Sequence, residues 1–216
     1  MTIPSERSRI RRLPERGSYE RATIDSILDE ALICHVGFLD SAGRPVVIPT
    51  IHARIGDVLY LHGSPASRML RSMKSGQNVS VAATLVDGIV LAKSQFHHSL
   101  NYRSVVVFGP TREVTDPDEK TAAFRAIVEH LVAGRWGGAR QPDEKESKGT
   151  MVVAVDIEDA SAKQRSGPPG DDETDLDLPH WAGVIPVGLQ RGEFEPSGTD
   201  PMPDHVRNWH PGRQDR

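Results

Sequence analysis

The chain has 216 residues, enough for one ordinary domain with a substantial core and two tails. A net charge of −4 and an isoelectric point near 6.1 exclude a protein built to hold nucleic acid, and no run approaches the roughly 18 apolar residues of a membrane span. A single cysteine, Cys34, excludes an internal disulfide, and with no hydrophobic signal core between Thr2 and Arg16 a cytoplasmic location is expected.

Residues 1–18 are polar and arginine-rich and read as a flexible arm, either mobile or draped over a partner subunit. Residues 19–190 read as the folded domain, and 191–216 as a poorly ordered tail rich in proline, glycine and charge. Within the domain, Ile24, Ile27, Leu28 and Ala31 recur at helical spacing and predict a first helix over 19–31. The pattern then shortens to strands over 33–39, 45–55 and 58–61, and their short connections make an antiparallel meander. A short helix follows Ser64 and ends near Gly76. Residues 79–86 and 89–92, either side of Asp87-Gly88, read as a hairpin with a two-residue turn. Residues 94–101 read as a loop or single helical turn, and 102–114 as a long strand bent at Gly109-Pro110. Asp116-Pro117-Asp118-Glu119 is a capped start for a helix running to Val132. Residues 150–157 read as the last clear strand, 167–177 as an acidic loop or flap, and 183–189 as a short addition to the sheet. This order, without repeats or a second domain, predicts a small barrel, mainly β with flanking helices.

The segment His62-Gly63-Ser64-Pro65-Ala66-Ser67-Arg68 is built like an anion site. Ser64 is a natural N-cap and Pro65 suits a first helical turn. Free amides there, with Ser64, Ser67 and the Arg68 guanidinium, would hold a phosphate. His97 and His98 are adjacent, and neighbours on regular structure point apart. With no further ligand at a helpful spacing, no metal site is expected. Cys34 lies in an apolar run and reads as a core residue rather than a nucleophile. No acid–base pair or nucleophilic triad stands out.

His-Gly-Ser-x-x-Ser-Arg at 62–68, Asp-Gly at 87–88, Asn-Tyr-Arg-Ser-Val-Val-Val-Phe-Gly at 101–109 and Trp-Ala-Gly-Val-Ile-Pro at 181–186 follow one another in a familiar order. Over residues 15–190 the chain resembles the FMN-binding split-barrel superfamily typified by pyridoxamine 5′-phosphate oxidase. Within it, the chain is most similar to the branch of nitroimidazole-resistance reductases and flavin-nucleotide-binding proteins. The resemblance implies a six-stranded antiparallel Greek-key split β-barrel that forms a homodimer, with two FMN molecules in clefts between the subunits. The flavin ring is then expected along Val47, Ile48, Pro49 and Thr50, and its phosphate at His62, Gly63, Ser64, Ser67 and Arg68. Tyr60, Arg103 and Trp181 complete the implied contacts. Arg103 would pair with the phosphate or a partner carboxylate, or be a surface residue, and Trp181 would cover the flavin or close the barrel end. His62 is the implied catalytic residue, giving a proton or hydrogen bond to the acceptor, against a plain role in bracing the turn. The apolar wall of the dimer cleft is expected at Val105, Val107 and 79–83.

The activity implied is an FMN-dependent oxidoreductase acting on a small aromatic or nitro-bearing molecule, since the cofactor performs the electron chemistry itself. The alternative is a flavin- or haem-binding or redox-sensing protein without turnover, and haem and deazaflavin are the alternative cofactors. The Arg-x-His arrangement that the oxidase proper uses for its substrate phosphate has no equivalent, because His205 and Arg207 stand in the tail in reverse order.

Overall fold

The computed structural model describes residues 5–212, so the first four residues of the arm and the last four of the tail lie outside the described residues. The strands are β1 (Gly17–Ser18), β2 (Cys34–Leu39), β3 (Pro45–Thr50), β4 (His52–Ile55), β5 (Val58–Gly63), β6 (Asn78–Leu91), β7 (Ser99–Glu113), β8 (Met151–Asp156), β9 (Asp159–Arg165) and β10 (Gly183–Pro186). The helices are α1 (Arg21–Glu30), α2 (Arg68–Met73), α3 (Pro117–Leu131), α4 (Glu144–Lys148) and α5 (Asp204–Arg207).

Two long strands organise the barrel. β6 and β7 pair antiparallel from Asn78↔Pro110 to Val90↔Ser99. The far edge of β6 takes β2 and then β3, and a later stretch of it takes β10. The far edge of β7 takes β9 along 102–108 and β8 along 111–113; β8 leads on to β5 and β4. The sheet path β3-β2-β6-β7-β8-β5-β4 therefore ends on two strands that are neighbours in the chain, joined through Ile51. That junction is the split of a split barrel. It also breaks the expected single strand 45–55 in two, because the chain crosses there from one end of the sheet to the other. The path holds seven strands where six are implied, and β1, β9 and β10 pair beside it, β10 being the short addition expected at 183–189. β9 has no large apolar residue to announce it: Ala160, Ser161 and Ala162 are small, and they are buried against β7.

Alternation fixes what lies inside. Val79, Val81, Ala83, Val105 and Val107 point into the barrel and are at most 4% exposed, joined there by Ile24, Ile27 and Leu28 of α1 and Met69, Leu70 and Met73 of α2. The expected cleft wall at Val105, Val107 and 79–83 is thus interior, because inward positions on a half-buried strand are lost to the surface. Cys34 is fully buried and its thiol is pushed up to about 12 by that burial, as suits an inert core residue.

Asp87-Gly88 is not a hairpin turn. β6 runs straight through it, with Val86 opposite Tyr102 and Gly88 opposite Asn101, so Asp87 is the extra residue of a β-bulge. Glycine is required at 88 by the approach of β10: a Cβ would lie 2.9 Å from Val184 Cγ1 and 3.2 Å from the Ile185 carbonyl oxygen. The extra residue resets the alternation and puts Val86 and Ile89, three apart, on one face. Ile89 lies opposite Leu100 on one side and Ile185 on the other. With Val187 these residues form an apolar face, each member 40–45% exposed.

The expected helix start also moves. Ser67, not Ser64, is the N-cap of α2. Ser64-Pro65-Ala66-Ser67 is a β-turn instead: the Ser67 amide donates to the Ser64 carbonyl at 2.9 Å, and the Ala66 amide to Ser64 Oγ at 3.2 Å. Proline at the second turn position explains the preference. At α3, by contrast, Asp116 accepts from the Glu119 amide at 3.0 Å with Pro117 in the first turn, as the sequence predicts.

The arm expected to be flexible is fastened to its own barrel. Ser5 Oγ and Arg7 bind the Asp159 carboxylate at 2.8 and 2.9 Å, the Lys163 ammonium donates to the Arg12 carbonyl at 2.7 Å, and β1 pairs with β9. The tail expected to be poorly ordered carries α5 and returns to the end of α3, where Trp209 Nε1 donates to the Leu131 carbonyl at 2.7 Å.

Two histidines close the open end of α1. His52 Nε2 donates to the Leu28 carbonyl at 2.8 Å, and His130 Nε2, from α3, donates to the Ala31 carbonyl at 2.9 Å; the rings lie 4.9 Å apart. Both bonds satisfy carbonyls that a helix end leaves without partners. His52 is fully buried with Nδ1 unbonded among the described residues, and burial, then the neighbouring His130, push its pKa down to about 4. Between about pH 4 and 6.5 the unfolded chain therefore holds more protons at this site than the folded one. Stability should fall as the pH is lowered through that window, by about 3 kcal/mol from this residue. Denaturant midpoints at pH 7 and 4.5 measure the loss. In His52→Gln, which keeps a donor for Leu28, the acid-dependent part should shrink; an unchanged pH profile would discharge His52 from this role.

Candidate cofactor-binding site

The predicted contacts separate into three places. The first is the end of the sheet at β3. Val46 and Ile48 pack against the core, while Val47 is 65% exposed and Pro49 faces out beside it. β3 pairs only with β2, so its other edge keeps backbone donors and acceptors without strand partners among the described residues. It is on this edge that the family resemblance implies a flavin ring, at Val47, Ile48, Pro49 and Thr50.

The second is a hollow of about 600 Å³ between the start of α2 and the β2–β3 turn, lined by Arg68, Arg71, Ser72, Ser75, Asp40 and Gln77, among others. Asp40 is already neutralised: Arg44 binds it at 2.8 Å, and this contact, helped by backbone amides, holds its carboxyl down at about 2. Arg68 and Arg71 have no carboxylate partner among the described residues. Two guanidiniums without a carboxylate partner, with exposed Ser64 and half-buried Ser67 just before them in the chain, are the donor types that an anion site needs. Arg71, one turn after Arg68, is a member that the sequence reading missed.

The third lies on the opposite side of β5, under α3. Tyr60 and His62, two apart on the strand, both face this side. The Tyr60 hydroxyl donates to Glu119 at 2.8 Å, and Arg112 binds the same carboxylate at 2.5 Å. Burial and Glu119 together push the Tyr60 hydroxyl up to about 12. Tyr60 is thus a packing residue beneath α3, away from the phosphate hollow. His62 lines a cavity of about 350 Å³, partly open to solvent, with Phe124, Ile127, Trp136, Arg140 and Glu146 among its walls. Neither ring nitrogen bonds a described residue, Nδ1 is closed off from solvent, and burial lowers the ring's pKa. Trp136 and Arg140 stand in a segment without periodicity. Its legible signals are Gly134, Gly137 and Gly138 and the Asp143–Glu146 capping box, which starts α4.

The remaining predicted residues stand apart. Arg103 is engaged by Glu30 and by Asp87, the latter at 2.7 Å, and these carboxylates raise its pKa, so its guanidinium is not offered to a phosphate. Its bulge-borne partner Asp87 explains why an arginine is held on this strand. Trp181 is 66% exposed, with its ring against Gly183 at the start of β10. His97 binds Asp172 at 3.2 Å, while His98 Nδ1 faces the Ser94 carbonyl at 3.1 Å, so the two rings turn to different partners. The acidic loop docks through Asp171, which accepts from the Lys93 amide at 2.8 Å.

An antiparallel barrel split between β3 and β4 defines a split-barrel protein. Residues 20–164 match the model of the pyridoxamine 5′-phosphate oxidase family, and the chain belongs to that family. Among solved structures it is similar to the flavocytochrome Anf3 from Azotobacter vinelandii, at 35% identity and TM-score 0.89, covering 97% of this chain and 99% of that one. It is also similar to an FAD- and haem-binding protein from Mycobacterium smegmatis, at 32% identity and TM-score 0.85, covering 91% and 98%. A protein from Bacteroides thetaiotaomicron whose name refers to 5-nitroimidazole antibiotic resistance shares the fold, at 24% identity and TM-score 0.58, over 68% of this chain and 85% of that one. Comparison with curated proteins gave no match. No helix among the described residues is long and apolar enough to cross a membrane.

Proposed function

We propose that this protein binds a flavin and a haem and passes electrons between them, as a flavocytochrome. The observation that carries the reading is similarity at 35% identity across 97% of the chain to a protein named as a flavocytochrome. FAD is the flavin proposed, in place of the FMN implied by the family resemblance, because the relative at 32% identity is named for FAD and haem. Bound flavin supplies hydride and electron chemistry and bound haem a one-electron centre, so the chain has only to hold and orient them. Arg68 and Arg71 would bind the flavin phosphates, with Ser64 and Ser67 adding hydroxyl donors. The unpaired β3 edge would meet the polar rim of the ring, while Val46 and Ile48, anchored in the core, keep that edge rigid.

A second copy of the chain is proposed to cover the apolar face of Val86, Ile89, Leu100, Ile185 and Val187. An exposed apolar face of this kind suits a two-fold interface.

The experiment is an absorption spectrum of the purified protein, followed by acid release and chromatography of the cofactor against FMN and FAD. Flavin bands, a Soret band and released FAD are expected; a protein that takes up neither group when both are supplied would overturn the reading. Nicotinamide-nucleotide consumption on the same preparation, with a nitroaromatic acceptor, tests the finer activity of reducing a small aromatic or nitro-bearing molecule.

A further inference from the structure

The histidines differ in what their ring nitrogens do. His52 and His130 donate to helix carbonyls, and His97 and His98 are bonded within the 94–98 turn and its acidic neighbour. His35, His180 and His210 are exposed, and His205 packs against Gly134 and Gly138 with its Nε2 buried and unbonded among the described residues. Both ring nitrogens of His62 are without a hydrogen bond among the described residues, as are those of His205, and of these two His62 stands in the wall of the cavity under α3.

Resting on the flavin and haem reading, the geometry points to His62 as the histidine that ligates the haem iron, with the porphyrin seated in the cavity between β5 and α3. Phe124, Ile127, Trp136 and Pro142 give that cavity the apolar and aromatic walls that a flat macrocycle needs. Arg140 supplies a cation for a propionate; its present partner is Glu146, at 2.7 Å, an exposed pair that a second carboxylate can replace. Because the cavity is partly open, a ring larger than the enclosed volume can extend through its mouth. The ligand is carried by a strand rather than a loop: His62 pairs in register with Val152 of β8, between Leu61 in the core and Gly63. Burial disfavours the charged imidazolium, and the neutral ring is the form that ligates a metal. Iron ligation is a different role from the proton donation that the resemblance implies for His62.

The test is titration of the flavin-loaded protein with haemin, followed by absorption and electron paramagnetic resonance. Wild type is expected to give a Soret band and a histidine-ligated iron spectrum. His62→Ala should bind haemin at least 10-fold more weakly, recover the wild-type spectrum on adding free imidazole, and keep its flavin content and melting temperature. His62→Met, which preserves bulk should the alanine variant fold poorly, should shift the spectrum to that of thioether ligation. His98→Ala and His180→Ala should match wild type. If wild type binds haemin and His62→Ala and His62→Met bind it equally tightly with an unaltered spectrum, His62 is not the ligand, while the flavin and haem reading stands. If wild type keeps flavin but takes up no haemin, the haem reading falls and the His62 assignment with it.

Discussion

The Arg68→Ala/Arg71→Ala double variant is expected to bind flavin about 100-fold more weakly than the unaltered chain. Each guanidinium can make a charge-assisted hydrogen bond to a phosphate oxygen, and such bonds contribute about 1.5–3 kcal/mol apiece. Adjacent cations share one anion, so their contributions are not fully additive. About 3 kcal/mol for the pair, or about two decades in affinity, is the reasonable sum. Arg68→Ala alone should cost about half of that. The cost to folding should be small, because neither guanidinium is paired with a carboxylate among the described residues. Arg44, on the β2–β3 turn, acts on the same hollow from the other side: it pairs with Asp40 at 2.8 Å, so Arg44→Ala should leave an unpaired carboxylate among the lining residues and also weaken flavin binding. Fluorescence titration at low and high salt reads both affinity and charge dependence. Equal affinities for the double variant and the wild type would remove the α2 hollow from the flavin site.

The elements legible in the sequence are those whose pattern and punctuation agree. α3 has an acidic cap, a proline in its first turn and apolar positions at helical spacing, and it forms where those signals place it. α1 and the long strand β7 follow from their apolar pattern, α1 without a side-chain cap at its start. The misreadings share a cause, in that local chemistry was outvoted by tertiary pairing. Asp-Gly is a strong turn signal, yet β7 pairs with β6 on both sides of it, and continuous pairing leaves room only for a bulge. Ser-Pro likewise suits a helix start but here sits in the turn before one. β9 was invisible because a strand buried between neighbours can be made of alanine and serine, which carry no hydrophobic period. Of the candidate site, the Arg68 region is picked out by its motif and the β3 edge by the family resemblance. The His62 cavity is not, because its walls come from α3 and from an aperiodic, glycine-rich segment some 70 residues further on, brought over β5 only by the fold.

Ile89→Asp is expected to convert a dimer of twice 23.7 kDa into a monomer at micromolar concentration. Ile89 stands between Leu100 and Ile185 in directly opposed register, at the centre of the apolar face that the Asp87 bulge creates. In a single chain the side chain is 40% exposed, so a carboxylate there remains hydrated and should cost the fold little. Beneath a second copy the same carboxylate loses its water without gaining a cation, at a cost of several kcal/mol, and two-fold symmetry places it in the interface twice. Ile89→Ala, which only trims contact area, should weaken association by about 1–2 kcal/mol and leave a dimer at high concentration. Light scattering across a dilution series, with a thermal melt to confirm folding, separates these cases. Flavin content adds a further discrimination. If the flavin cleft is shared between subunits, as the family resemblance implies, the monomeric variant should lose flavin although Arg68 and Arg71 are untouched. A variant that stays dimeric would place the interface elsewhere on the barrel, and a monomer that keeps its flavin would mean that one chain builds the whole site.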